Sequence, residues 1–204
     1  MPGQLNLKVV NDLFSGSSEN IKVVENFMPA DHVKILLDYC KLSNNPRDEK
    51  KEKEYLESYF QRELAKSYEH LMRAEVTKMY GHPFDRDRTV DFVDRKEGVL
   101  LEEHTDFIKS QFIDPLEPPA VYQKQDNWSG HMSVLIYLND DYEGGEIVFP
   151  KQNFKVKPKS GMLIAFPGNR MYPHLVEPCY GNLRYTISLW TRVTGYNNSV
   201  NIPL

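Results

Sequence analysis

After Gly81-His82-Pro83 the spacing between apolar residues in this chain shortens from three or four positions to two, and it stays short for about a hundred residues. A period of two sends alternate side chains to opposite faces of a pleated strand, which commits this stretch to sheets with at least one buried face. Short candidate strands follow one another between Gly, Pro, Asn and Asp. They cover residues 89–95, 99–106, 120–123, 132–139, 145–150, 161–167, 171–178 and 184–192. Strands this short and this numerous predict a closed or double-sheet antiparallel jelly roll.

Upstream the pattern is helical. Residues 21–27 read as a strand, and Pro29-Ala30-Asp31 opens an amphipathic helix with Val33, Leu36, Leu37 and Cys40 as its buried stripe. Residues 43–54 are charge-dense and read as a loop and a solvated helix start. From Tyr55 to Met79, Leu56, Tyr59, Phe60, Leu64, Tyr68, Leu71, Met72, Val76 and Met79 recur at helical spacing, predicting a long helix with an apolar face. The expected architecture is α+β with a mainly β core. In a single domain over 1–204, a strand and supporting helices in 1–83 buttress a β core in 84–196.

With 204 residues, 40% of them hydrophobic, the chain can bury a full core. A formal charge of -4 provides no broad basic field, so no nucleic-acid partner is expected. No apolar run approaches the roughly 20 residues that span a bilayer, and the N-terminus lacks a basic segment followed by an apolar one. The expectation is a soluble cytoplasmic protein without a membrane partner. Cys40 and Cys179 are too few for a disulfide framework and are expected to be reduced.

Within the β region, His104 and Asp106 sit two apart in one candidate strand, and His174 lies in the penultimate one. Residues i and i+2 share a face, so His104 and Asp106 can converge on one ion, with His174 supplied by a neighbouring strand. Two histidines and one carboxylate on one side of an octahedron suit Fe(II) with open positions, whereas a closed structural zinc site would use four ligands. His131 is the nearest rival ligand but lacks a carboxylate partner two residues on; His32, His70 and His82 fall in or beside helices. Ten residues after His174 comes Arg184, sharing a face with Thr186, Ser188 and Trp190. If the intervening turn folds as a hairpin, Arg184 lies nearly opposite His174. A guanidinium beside two hydroxyls is suited to a buried carboxylate.

His104-Thr105-Asp106, the stretch SVLIYLNDDYEGGEIVFP and the stretch VKPKSGMLIAFPGNRMYPHLVEPCYGNLRYTISLW together resemble the Fe(II)/2-oxoglutarate dioxygenases of the prolyl 4-hydroxylase branch over roughly residues 88–192. The resemblance implies a double-stranded β-helix with iron on His104, Asp106 and His174. It implies the distal carboxylate of 2-oxoglutarate on Arg184, with Tyr137 as a second donor and Thr186 or Ser188 as a third, and ascorbate as reductant. The implied reaction hydroxylates peptidyl proline in a peptide or protein substrate, with oxidative decarboxylation of 2-oxoglutarate to succinate and carbon dioxide. Trp190 corresponds to an aromatic near the pocket.

Two departures touch the substrate side. Arg95 replaces a tyrosine often found three residues before the glycine equivalent to Gly98, and Ile147 stands at a threonine position. Arg95, Tyr122 and Trp190 are the candidate substrate-binding residues. The proline-stiffened stretch 107–130 reads either as a lid over the metal or as a packed surface loop. Two alternatives stay open: the same chemistry on another side chain, a free amino acid or a small molecule, and a non-catalytic jelly-roll module that retains a metal.

Overall fold

The computed structural model describes residues 7–13, 15–43, 59–86, 90–106 and 131–194. The expected strand at 120–123, Tyr122, Trp128 and the stretch 107–130 therefore lie outside the described residues, as does the expected helix start at residues 55–58.

Three α-helices are described: α1 (Leu7–Leu13), α2 (Ala30–Ser43) and α3 (Tyr59–Tyr80). The strands are β1 (Lys22–Val24), β2 (Phe84–Arg86), β3 (Asp91–Arg95), β4 (Leu101–His104), β5 (His131–Tyr137), β6 (Glu143–Gly144), β7 (Ile147–Phe149), β8 (Phe154–Val156), β9 (Leu163–Pro167), β10 (His174–Val176), β11 (Cys179–Tyr180) and β12 (Arg184–Val193). A large sheet runs β1-β9-β5-β12-β2, with β3 also paired to β12. A smaller sheet runs β4-β10-β7-β8, and β11 pairs with β6 alone. All the pairings are antiparallel. This is the expected double-stranded β-helix.

Strand alternation sorts the core into two layers. Val134, Ile136, Leu163, Ala165, Ile187 and Leu189 project from the outer face of the large sheet into a cluster with Leu36 and Cys40 of α2 and Tyr68, Met72 and Val76 of α3. Tyr137, Ile164 and Phe166, one position out of phase, project inward onto Ile147, Phe149 and Val176 of the smaller sheet. Each fully buried aliphatic side chain contributes roughly 1.5–3 kcal/mol relative to exposure. A continuous apolar strand such as β9 is thus explained by burial on both faces.

Helix α2 starts where the sequence places it. The Pro29 carbonyl accepts from the Val33 N–H at 2.9 Å, and proline's missing N–H costs nothing at a position where that group has no helical partner. Val33, Leu36 and Cys40 are buried, with Leu37 partly so. The stripe of α3 matches expectation at Tyr68, Met72 and Val76, which are buried, and at Leu64 and Met79, which pack partly against the same cluster. Phe60 and Leu71 depart from it at 62% and 50% exposed, and Ala65 joins the packed face. The short helix α1 and strands β2, β6, β8 and β11 were not expected; each is too short to establish a period. Among the described residues no helix is long and apolar enough to cross a membrane.

Candidate active site

The site lies at one end of the space between the two sheets. Strands β4 and β10 are neighbours, and their register sets His104 directly opposite His174, with ring centroids 4.5 Å apart. β4 ends at His104, and the chain beyond it brings the Asp106 carboxylate back, its Oδ1 3.5 Å from His104 Nε2 and 3.7 Å from His174 Nε2. One ligand atom from each residue lies within 4.8 Å of the others.

Each histidine is oriented by a backbone carbonyl two residues upstream. His104 Nδ1 is 2.8 Å from the Glu102 oxygen, and His174 Nδ1 is 3.2 Å from the Tyr172 oxygen. A carbonyl only accepts, so each Nδ1 carries the hydrogen and each Nε2 lone pair is left facing Asp106. Phe149 and Phe166 wall the His174 ring at centroid distances of 5.4 and 4.7 Å, which excludes water from that side.

Charge follows position. Burial lowers the His174 pKa, and the attraction of Asp106 only partly offsets it, so this ring is held neutral. Burial also pulls on His104, but hydrogen bonding to Asp106 and to the Glu102 carbonyl outweighs it and the pKa is raised. For Asp106, burial favours the neutral acid, yet the paired imidazoles prevail and its pKa is lowered. An ionised carboxylate and two imidazoles offering Nε2 form a donor set that fits Fe(II).

The second half of the site is built on β12. Arg184 is only 2% exposed, and its inventory is sparse: Nη1 donates to the Gly145 carbonyl at 3.4 Å, and Cζ lies 5.6 Å from the Tyr137 ring centroid. Arg184 Nε and the Tyr137 hydroxyl are both buried without a hydrogen-bond partner. Tyr137 pairs in register with Thr186, which puts it on the Arg184 face. Thr186 and Ser188 are buried on the same face, and the Thr186 hydroxyl donates to the Val93 carbonyl at 3.4 Å. A buried guanidinium without an anion is costly, and unpaired donors around it add to that cost. These groups fit a carboxylate such as the distal end of 2-oxoglutarate.

Three features escaped sequence reasoning. The Asn139 amide donates to the Leu183 carbonyl at 2.8 Å and accepts from the Tyr185 N–H at 2.8 Å, fastening the end of β5 to the start of β12. It thereby fixes Tyr137 against Arg184; the asparagine ending YLN was its available signal. Tyr142 is buried, with its hydroxyl unpartnered and its ring against Gly145. Burial pushes its pKa up while the Arg184 charge pulls it back. Gly144 and Gly145 both hold positive φ, and a Cβ on Gly144 would meet the Pro178 carbonyl at 2.2 Å. The adjacent glycines in the sequence marked this turn.

The expected hairpin between His174 and Arg184 does not form. Cys179 and Tyr180 pair with Gly144 and Glu143, and the chain crosses from the smaller sheet to the larger before β12 begins. Arg184 consequently stands opposite Arg95, not His174. The His104, Asp106 and His174 cluster and the buried cation still share one interior, because the two sheets face each other. Trp190 is half-buried and paired with Ser133 further along the same face. The side chain of His131 lies outside the described residues, as does Tyr122. His32 is hydrogen-bonded to the Tyr68 hydroxyl, His70 to Arg73, and His82 to the Thr194 carbonyl, all apart from the triad. Cys40 and Cys179 are buried and form no disulfide.

Comparison with known proteins follows the same lines. The sequence profile of the 2OG-Fe(II) oxygenase superfamily matches residues 91–192, half of the chain. Prolyl 3-hydroxylase 2 of Rattus norvegicus is 30% identical over 140 residues, covering 63% of this chain and 18% of the relative, so the chain spans less than a fifth of that protein. Among solved structures, viral collagen prolyl hydroxylase from Paramecium Bursaria Chlorella virus-1 superposes with a TM-score of 0.60 at 16% identity, over 85% of this chain and 90% of that one. A prolyl hydroxylase from Trichoplax adhaerens, in complex with a hypoxia inducible factor oxygen degradation domain peptide fragment, gives 0.53 at 19% identity, over 91% and 87%. At these identities the structural likeness shows the fold.

Proposed function

This chain belongs to the 2OG-Fe(II) oxygenase superfamily, and from that membership we propose that it hydroxylates proline in a peptide or protein, with oxidative decarboxylation of 2-oxoglutarate to succinate and carbon dioxide. The observation that carries the chemistry is the juxtaposition of His104, Asp106 and His174 with a buried Arg184 whose Nε has no hydrogen-bond partner. The prolyl acceptor is supported by the prolyl 3-hydroxylase similarity and by the peptide-bound relative of the same fold.

His104, Asp106 and His174 would hold Fe(II) from one side, leaving the other side for co-substrate and oxygen. When bound, the iron supplies the oxygen activation that drives decarboxylation and C–H hydroxylation. Arg184 and the Tyr137 hydroxyl would bind the distal carboxylate of 2-oxoglutarate, with Thr186 and Ser188 as inward hydroxyls beside it. The carbonyls of Glu102 and Tyr172 keep both Nε2 atoms available, and Phe149 and Phe166 keep one flank of the metal dry. Trp190 and the outer reach of the pocket would face the acceptor. Ascorbate as reductant belongs to this reading through the prolyl 4-hydroxylase resemblance. A reducing cytoplasm is supported by two cysteines that form no disulfide.

Anaerobic addition of Fe(II) and 2-oxoglutarate should produce the weak visible metal-to-ligand charge-transfer band, and its absence in folded protein rejects the oxygenase reading. With oxygen admitted, proline-containing peptides should gain the mass of one oxygen atom in step with succinate formation. Succinate production without modified proline across a peptide panel moves the assignment to another acceptor.

A further inference from the structure

Arg95 closes β3 directly opposite Arg184 on β12. Paired residues of antiparallel strands share a face, with Cα atoms about 5 Å apart. Two arginines therefore enter one interior side by side. Arg95 is half-buried, and its Nε is sealed from water with no hydrogen-bond partner. The charges of Arg184 and Asp106 both act on it, which puts the Arg95 guanidinium within electrostatic reach of both halves of the site. Burial and the like charge of Arg184 both lower its pKa, and Asp106 opposes them.

Asp106 cannot neutralise this pair, because its carboxylate is already engaged with both imidazoles. A monoanion on Arg184 would leave Arg95 partly desolvated beside another cation. A short dicarboxylate resolves both, one end for each guanidinium. We propose that Arg95 binds the metal-proximal carboxylate of 2-oxoglutarate, making the pocket a two-ended clamp with Arg184 at the distal end. This rests on the co-substrate reading above, and it moves Arg95 from the acceptor side, where the sequence placed it, to the co-substrate side. A guanidinium suits that place because its N–H groups can donate to one carboxylate oxygen and leave the other available to a metal.

The test is direct binding to the full chain loaded with Mn(II), followed by ligand-observed NMR and calorimetry. The probes are 2-oxoglutarate and 4-oxopentanoate, in which a methyl group replaces the proximal carboxylate. Arg95→Gln is expected to weaken 2-oxoglutarate by about tenfold to a hundredfold, the usual worth of a charged hydrogen bond, and to leave 4-oxopentanoate unchanged. Arg184→Gln is expected to weaken both, and Arg95→Lys to recover part of the loss, with thermal melts confirming folded protein. Full retention of 2-oxoglutarate affinity in Arg95→Gln, or equal losses for the two ligands, overturns the clamp. If the wild-type protein binds no 2-oxoglutarate, the co-substrate reading itself fails, and the clamp with it.

Discussion

Strand β12 carries two different proteins on its two faces. Tyr185, Ile187 and Leu189 enter the layer beneath α2 and α3, which is almost wholly apolar. Arg184, Thr186 and Ser188, interleaved with them, enter the space between the sheets. There the Nε atoms of Arg184 and Arg95 and the hydroxyl of Tyr137 are buried without partners. Native interiors pair nearly all their buried polar groups, so a concentration of unpaired ones on one face marks where a ligand completes the structure. The outer face is finished by folding; the inner face is finished by binding.

The largest expected effect breaks the inner face alone. His174→Gln removes the candidate metal ligand while keeping most of the side-chain volume that packs on Phe149 and Phe166. It should cut succinate formation by roughly a thousandfold or more, about 4 kcal/mol of barrier, while the melting temperature shifts little. A collapse of the melt alongside activity would show that the triad also holds the sheets together and that the contrast between faces is false. Ile187→Ala, three residues along β12 from Arg184 and on the opposite face, should do the reverse. Deleting a fully buried aliphatic side chain costs about 2–5 kcal/mol, which lowers the melting temperature of a chain this size by roughly 5–15 °C. Calorimetric affinity for 2-oxoglutarate should be unchanged at a temperature where the variant is folded.

The division between faces was legible in the sequence because side-chain parity is local. His104 with Asp106, and Arg184 with Thr186 and Ser188, follow from a period of two, and the switch at Gly81-His82-Pro83 marks where helices give way to sheets. Register was not legible, since which residue opposes Arg184 depends on where β3 stops after its own turn. A hairpin after His174 therefore names the wrong partner for Arg184, which pairs with Arg95. In α3, Phe60 and Leu71, eleven residues apart, lie on a second stripe at helical spacing. Periodicity cannot choose between that stripe and the one through Tyr68, Met72 and Val76; only packing against the sheet does. Asn139 and the Gly144-Gly145 turn act through single hydrogen bonds and close backbone approach, which leave no periodic trace.

The smallest effect sharpens the comparison through pH. On the outer face, burial pushes the Cys40 thiol up from its ordinary value of 9.0 to about 12, with the Asp94 charge adding to the shift. Above pH 9 the unfolded chain releases this proton and the folded chain keeps it. The stabilisation is therefore fully present below pH 9 and declines as pH rises towards about 12, by at most roughly 1.4 kcal/mol per pH unit. On the inner face the sign reverses. Burial lowers the His174 pKa below its ordinary 6.5, so on acidification the unfolded chain takes up the proton first, and stability present above that value is lost as pH falls. Urea denaturation of wild type and Cys40→Ala, compared from neutral pH to above 9, isolates the outer contribution, because tyrosines and lysines titrating in the same range are common to both. The variant should lose about a kilocalorie per mole at neutral pH to the missing sulfur, yet decline less steeply on the alkaline side. Parallel alkaline slopes would mean that Cys40 ionises as readily in the folded protein as in the unfolded chain, and that the layer under α2 admits water that its apolar lining is built to exclude.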